Sequence, residues 1–585
     1  MCGISALSSK KEISNKKQNL FFNIHEKIKH RGPDATSFSL DEVNNIYLGH
    51  HRLSIIDIEG SNQPFKFQDI ELVFNGEIYN YLELREELIN LGYEFQTSGD
   101  TEVLIKAFHK WRNNVFDKID GMFCCIFKEK NKLTVSTDFF GEKPLYLYQD
   151  NFDIYLCSEA LPIIENLDLK FNPDINDLYY FLGNGFMDFN YQGFENLIRL
   201  KPGFIYEILE GQIIKKYNYY ERKLFLNSSQ EINSNNVLDI LRESTKKRIR
   251  SDVNIGLFLS SGTDSVLTAC LLKECLGSNF ICLTSSTGAD DEEYHYAKNI
   301  CKYLNLEHKK ISFEDSIKTI DAPRKLIDLY TVPNDNLSGL AVANLSSASN
   351  KDIKVAFVGT GADEIFVGYN KYKEISSKSI LLNNSYLEKF EYVFSKFNLK
   401  YFPKTLQIAL RNKNQKFLSF KNLFLSDMLI QNKIENKYLI RGMDGQDLLT
   451  SFRRFDLDYS LPLSYNESID RGTMRFGIEA RSIFLNKELF NLTNNVKNKI
   501  LLKNHPKPIL RNLLNLYLPK NIISQKKRGF SIELSNFYET FKNKKPIIPQ
   551  LEKEINFTWD NLKDLNSHKL ALRLLVLGET YARFS

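Results

Sequence analysis

The sequence predicts two fold classes in series: an α+β sheet domain over residues 2–220, then an α/β domain with a doubly wound parallel sheet over 230–585. Three observations predict it. Short apolar runs lie between turn residues as far as about Tyr220, a polar break (LNSSQEINSNN) spans Leu226–Asn236, and strands alternate with helices beyond it. In the first stretch, Ile46–Leu48, Leu72–Phe74, Met122–Phe127 and Ile154–Cys157 read as strands, and Phe21–Lys29, Tyr81–Leu91 and Thr101–His109 as helices. After the break, Val237, Leu238, Leu241 and Ile249 share one helix face, closed by the basic run Lys246–Arg250. A buried-type strand at Ile255–Leu259, a Ser/Gly turn and a helix at Ser265–Cys275 follow. A second strand (Phe280–Leu283), a helix (Glu292–Leu304) and a third strand (Val355–Val358) repeat the pattern, which implies parallel strands. Lys371–Phe530 reads as mostly helical and irregular cover for that sheet.

Composition narrows the function. The 585 residues are 43% hydrophobic and 25% charged, enough for a sizeable core and against wholesale disorder. A net charge of +5 lacks the basic footprint of a nucleic-acid partner. No window approaches the ~18 apolar residues of a membrane span, and the N-terminus MCGISALSSKKE has no apolar signal core. The eight cysteines form no CxxC pair or disulfide rhythm. A cytoplasmic protein without nucleic-acid or membrane partners is expected, with most thiols acting as small apolar core residues.

Cys2 stands apart. If Met1 is removed, one residue carries a thiol and a free α-amine, and the amine can take the thiol proton directly or through water. A Cys at position two is usually incidental, but its company is not. Arg31-Gly32-Pro33-Asp34 forms a tight turn, His51–Asp57 (HRLSIID) and Phe74–Asn80 (FNGEIYN) follow strands, and Ser98–Glu102 (SGDTE) precedes a helix. Such parts suit an α-amino acid: an Arg for its carboxylate, an Asp for its ammonium, an Asn amide with a Gly N–H as an oxyanion hole. Taken singly, each is an ordinary turn or cap.

Together, MCGI, RGPD, HRLSIID, FNGEIYN and SGDTE resemble the class II glutamine amidotransferase domain, whose N-terminal-nucleophile fold stacks antiparallel sheets with helices. The resemblance implies Cys2 as nucleophile and its amine as base. It further implies that Arg52, Glu77 and Asp100 hold glutamine with main-chain help around Ile55, and that Asn75 and Gly76 form the oxyanion hole. The implied chemistry is a thioester at the glutamine side chain, release of ammonia, and hydrolysis to glutamate. One departure is Phe139, in Asp138–Tyr146 (DFFGEKPLY), where that family has Arg; it bears on the domain contact or ammonia channel more than on the thiol.

The second constellation is Leu259-Ser260-Ser261-Gly262-Thr263-Asp264-Ser265, running from strand to helix. Small residues let backbone N–H groups face an anion, the helix dipole assists, and Asp264 suits a cation on phosphates; the bland reading is a Ser-rich N-cap. The loop resembles the Ser-Gly-Gly-x-Asp-Ser pyrophosphate loop of ATP pyrophosphatases, with Ser261 in place of the first Gly. A second element, Val358–Tyr369 (VGTGADEIFVGY), places Val358 and Gly359 near the nucleotide and Asp363 as a second carboxylate for Mg²⁺. Further motifs are Leu461-Pro462, Asp470-Arg471, Ile478–Asn486 (IEARSIFLN), Lys507–Arg511 (KPILR), Leu518-Pro519 and Lys527–Phe530. By resemblance Lys507 stabilises charge during adenylation and amide formation.

In this order, the two units resemble the glutamine-hydrolysing asparagine synthetase family. The resemblance implies that ATP·Mg²⁺ activates a carboxylate, aspartate in the namesake, as an acyl-AMP, and that ammonia travelling internally attacks it. Members often pair, so a homodimer is among the expectations. Departures cluster late in the chain: Thr360, assigned by resemblance to the amidation step, where Glu or Asp is common; Ile483 and Asn486 for Pro and Asp; Gln525 for Arg. A hydroxyl cannot serve as a general base near neutral pH as a carboxylate can. Three readings follow: asparagine synthesis, amidation of another carboxylate such as a sugar uronate or secondary metabolite, and a nucleotide-binding chain without turnover. The intact Cys2, Arg52, Asn75, Gly76, Asp100, Asp264, Asp363 and Lys507 weigh against the last.

Overall fold

A computed structural model of the chain describes residues 2–220, 232–286, 291–312, 321–378, 447–502, 506–520, 522–523, 537, 540–541, 546–554 and 568–585. Gln525, Lys527–Phe530 and most of the Leu226–Asn236 break lie outside the described residues.

The N-terminal part holds two six-stranded antiparallel sheets. In one, Gly3–Ser9 lies between Ile46–Arg52 and Asp153–Cys157; in the other, Gly121–Glu129 lies between Ile70–Ile78 and Lys132–Thr137. Successive strand side chains point to opposite faces, and the sequence uses both. Ile4, Ala6, Val73, Cys124 and Ile126 fill the space between the sheets. Leu72, Phe74, Phe123, Cys125 and Phe127 face the helices Tyr81–Asn90 and Asp100–Trp111, while Leu7 and Tyr47 pack with Phe21 and Ile24 of the helix Asn15–Glu26. The result is two sheets stacked between helices. That last helix begins six residues before the expected Phe21, because Ser14 caps it by accepting from the Lys17 N–H.

The C-terminal part is built on a five-stranded parallel sheet in the order Glu307–Ser312, Ile281–Ser286, Ile255–Phe258, Val355–Val358, Glu479–Ser482. Three of these strands were legible as apolar runs. The edge strands Glu307–Ser312 and Glu479–Ser482 were not, since EHKKIS and EARS carry charged residues where a buried strand is normally apolar. The second of these corrects the expectation of a helical and irregular cover there. Helix Thr263–Leu276 lies on one face with Leu257 and Phe357, and Ser338–Ser349 lies on the other with Phe258, Leu283 and Ala356. The chain moves outward from Ile255–Phe258 through two strands, then returns to add Val355–Val358 on its other side. The loops after these two neighbours therefore diverge, leaving the crevice in which open α/β sheets bind ligands.

The two parts share a buried ionic seam. Arg31 grips Asp470 through two hydrogen bonds of 2.9 and 3.0 Å and pairs with Glu159 at 3.0 Å. Arg471 joins Glu159 and Glu467, which also pairs with Arg199 at 2.6 Å. Gly141, at φ +68°, completes the contact: a Cβ there would meet Pro462 at 2.8 Å. Phe139 stacks edge-on against Tyr220 and Phe490, so the residue that departs from the Arg pattern makes an apolar contact across the seam.

Candidate active sites

Cys2 sits at the head of the strand Gly3–Ser9, 7% exposed. Its main-chain nitrogen, the α-amine once Met1 is gone, donates to Asn75 Oδ1 at 2.9 Å. The Asn75 Nδ2 group is fully buried and without a hydrogen-bond partner among the described residues. A buried, unsatisfied donor costs about 1–3 kcal/mol, and such groups are retained where a ligand completes them. Next to it, Gly76 has φ +151°, and a Cβ would lie 2.0 Å from the Met122 carbonyl, so only glycine lets the two strands pair here. Burial pushes the Cys2 thiol up, against the pull of the positive amino terminus, a Leu53 main-chain hydrogen bond and Arg52.

Arg52 donates to the carbonyls of Asp57 (2.6 Å) and Ile58 (2.8 Å) and to Asn62 Oδ1 (3.0 Å), bracing the loop after its strand. The Ile55 carbonyl accepts from the Asp252 N–H at 2.9 Å, fastening that loop to the C-terminal part. Asp100 opens its helix and accepts from the Ile78 N–H at 2.9 Å. Burial raises Asp100 to about 6, and burial with Glu479 and Asp100 close by raises Glu77 well above the usual carboxylate range. Arg481 answers this acid, lying 2.6 Å from Glu479 and 3.4 Å from Glu77. Three carboxylates thus face one guanidinium, an excess of negative charge that an ammonium group would balance. Glu479 and Arg481 were visible in the sequence only as motif letters; nothing local said that they reach the Cys2 side.

At the crevice of the parallel sheet, Ser260–Ser265 closes on itself. Ser265 Oγ meets Ser260 Oγ at 2.8 Å and the Ser260 carbonyl at 2.9 Å, and the Gly262 N–H donates to Ser260 Oγ. Leu259 is tied to Leu283, and the Ser261 N–H donates to Glu293, so Ser261 is accommodated without opening the loop. Thr263 begins the helix, whose first turn carries Asp264. Gly359, after Val358, allows the two loops to approach: a Cβ there would stand 3.0 Å from that of Asp264.

Lys507 gathers this site. Its Nζ lies 2.5 Å from Asp264 and 2.8 Å from Asp363, so residues far apart in sequence converge on one ammonium. Lys507 is 4% exposed and adopts φ +51°, a strained conformation for a side chain of its size, just before the helix Pro508–Leu514. Burial alone would lower its pKa, but the two carboxylates more than offset this and hold it above the usual lysine range. Gly368 makes room, since a Cβ would come within 2.1 Å of Asp363. Among the described residues no cluster of three or more His, Cys, Asp or Glu could hold a metal. Asp264 and Asp363 nevertheless fit Mg²⁺, which takes one or two carboxylates and fills its shell with phosphate and water.

A small cavity lies between the two sites, lined by Glu142, Lys143, Val358, Thr360, Asp470 and Ser482 among others. The Thr360 carbonyl accepts from Ser482 Oγ at 2.6 Å. Asn486 caps the helix Lys487–Asn494 by accepting from Leu489, a role Asp and Asn fill equally well, so this departure has a structural explanation.

A family model described as a glutamine amidotransferase domain matches residues 1–220, and one described as asparagine synthase matches 236–546. The asparagine synthetase [glutamine-hydrolyzing] 1 of Bacillus subtilis is 27% identical, covering 93% of this chain and 89% of its own. A putative asparagine synthetase [glutamine-hydrolyzing] 2 of Methanocaldococcus jannaschii is 32% identical over 63% of this chain and 76% of its own. Among solved structures, the glutamine phosphoribosylpyrophosphate amidotransferase of B. subtilis shares 14% identity over 53% of this chain and 66% of its own, with a TM-score of 0.28, too low to support any inference. Matched by the synthase model over more than half its length, with the amidotransferase model ahead of it, the chain belongs to the asparagine synthase family of glutamine-hydrolysing carbon–nitrogen ligases.

Proposed function

We propose that the chain converts L-aspartate, ATP and glutamine to L-asparagine, AMP, pyrophosphate and glutamate, with residues 2–220 hydrolysing glutamine and 230–585 forming the amide. Cys2 Sγ attacks the glutamine side-chain carbonyl, and its α-amine takes the thiol proton and returns it to the departing ammonia. Asn75 Nδ2 and the Gly76 N–H hold the oxyanion; the buried, unpartnered Nδ2 supports that role. Arg52 and the main chain near Ile55 hold the glutamine carboxylate, and Glu77 and Asp100 its ammonium, a pairing favoured by the local excess of acid.

In the second site, Leu259–Ser265, Val358 and Gly359 cradle ATP, and Asp264 and Asp363 would hold Mg²⁺, which neutralises phosphate charge when bound. Lys507 stabilises charge on the phosphates as the carboxylate attacks the α-phosphorus and pyrophosphate leaves. Ammonia reaches the acyl-AMP through the cavity at Thr360, sheltered from bulk water that would protonate it. The observation that carries the reading is the convergence of Asp264, Asp363 and Lys507 within 2.8 Å at the switch point of the sheet.

The experiment has two arms. Cys2→Ala should abolish glutamate release while ammonia-dependent amide formation persists; glutamate release in that variant refutes the nucleophile. Pyrophosphate release across a panel of carboxylic acids should peak with L-aspartate. A peak with another acid replaces the substrate, and no release with any acid refutes the synthetase reading.

A further inference from the structure

Amide formation leaves a proton to be placed. When ammonia attacks an acyl-adenylate, the C–N bond forms, the C–O bond to AMP breaks, AMP leaves with the electron pair, and the nitrogen sheds one proton. Thr360 and Ser482 are hydroxyls and Asn466 is an amide, none of which accepts a proton near neutral pH, and Lys143 pairs with Asp470 at 3.8 Å. Two carboxylates line the cavity. Asp470 is committed to Arg31 through two hydrogen bonds and is held below the usual carboxylate range, since Arg31 and Lys143 outweigh the effect of burial.

Glu142 differs. It lies on the segment contributed by the amidotransferase part, is 8% exposed, and its carboxylate makes no hydrogen bond or ion pair with the described residues. Its backbone is fixed: the N–H groups of Phe140, Glu142 and Lys143 all donate to the buried Asp138 carboxylate at 2.9–3.0 Å. The Phe140 carbonyl also accepts from Asn466 of the other part. A loop between the two sheets, pinned by Asp138, thus presents one uncommitted carboxylate to the cavity where Thr360 offers none.

We propose that Glu142 is the catalytic base of amide formation, accepting the proton released by the attacking nitrogen, so that the amidotransferase part supplies a residue to the synthetase step. This rests on the reading that the cavity conducts ammonia to an activated carboxylate. Burial and the neighbouring Asp138 raise Glu142 to about 8, Lys143 and Arg248 pull it down, and Asp120 adds to the rise; Tyr79 and Asp470 are the other titratable groups at hand. The sign follows directly. The base form fills as pH rises through about 8, so this step accelerates across that range.

The test compares Glu142→Gln with the unchanged full chain, assaying glutamate release, aspartate-dependent pyrophosphate release and amide formation from pH 6.5 to 9. Expected are near-normal glutamate and pyrophosphate release with amide formation slowed about 10²–10³-fold, the size of a general-base contribution. The ratio of the two amide rates should rise with pH toward about 8, because the ratio cancels the ammonia–ammonium equilibrium common to both proteins. Restoration of amide formation by Thr360→Glu in the Glu142→Gln background would place the base in this cavity. Equal amide rates, a pH-independent ratio, or equal losses in all three activities would each overturn the assignment. Should Glu142→Gln fail to fold, Glu142→Asp keeps a carboxylate on a shorter arm, and an unchanged amide rate there would overturn it too. Absence of pyrophosphate release from the unchanged chain would instead refute the underlying reading, and this proposal with it.

Discussion

Lys507 shows how one residue changes meaning with its surroundings. In the sequence it is a lysine before a proline; in the fold it is a buried cation between two carboxylates from distant loops. Lys507→Met would leave Asp264 and Asp363 facing each other without the cation. Pyrophosphate release should fall at least about 10²-fold, the scale of losing one electrostatic stabiliser, while glutamate release from the other site holds. Loss of both activities would mean that the residue only supports the fold. Asn75 is the counterpart at the first site, its amide split between the Cys2 nitrogen and an unfilled donor position. Neither role shows in residue type; both come from what stands within 3 Å.

At the scale of elements, the strand Ile46–Arg52 and the helix Asn15–Glu26 carry a buried histidine cluster. His25 and His51 stack with ring centroids 3.9 Å apart, and Ser5 Oγ meets His25 Nδ1 at 2.8 Å. Burial pushes His25 down to about 2 and His50 to about 3, so both are neutral in the folded chain. Unfolded, each regains a pKa near 6.5 and binds a proton that the folded form refuses. Stability is therefore full above about pH 6.5 and declines as pH falls toward 3, by about 1.4 kcal/mol per pH unit for each group. The melting temperature should drop steadily from pH 6.5 to 4.5, and His50→Leu should flatten that slope relative to the unchanged chain. An equal slope in both would remove His50 from the account. The second element of note is the strand Glu479–Ser482, whose charged residues hid it from a reading based on apolar runs. Its Arg481 finds partners that the sequence alone does not place, donating to the carbonyls of Arg248 and Arg250 at 2.6 and 2.7 Å.

Across the whole molecule, a buried ionic seam joins the two parts. Arg31 and Asp470 are 0% and 1% exposed, and removing one partner leaves a buried charge at a cost of about 3–5 kcal/mol. Asp470→Asn should lower the melting temperature markedly. The double variant Arg31→Met with Asp470→Leu should recover part of that loss, since an apolar pair escapes the desolvation cost and Glu159 keeps Arg471, while Lys143 loses its partner. Both variants should release more glutamate per amide formed, because the charge pairing that closes the seam beside the cavity is lost. A glutamate-to-amide ratio equal to that of the unchanged chain would show that the seam holds the parts together without guiding ammonia.

Much of this was legible beforehand because local chemistry leaves local marks. Apolar runs at Met122–Phe127, Ile255–Leu259 and Val355–Val358, and small residues between strand and helix, all act within a few residues of themselves. The candidate residues at positions 2, 52, 75, 76, 77 and 100, and at 259–265, 358–360, 363 and 507, were named from such marks together with a family resemblance. The sequence by itself determined the two kinds of sheet and their order. Only the tertiary structure decided that Lys507 bridges Asp264 and Asp363, that Arg481 reaches Glu77, and that Glu142 shares a cavity with Thr360. Those contacts join residues more than 140 positions apart, and no propensity or periodicity acting along the chain can encode a distance closed only when separate elements pack.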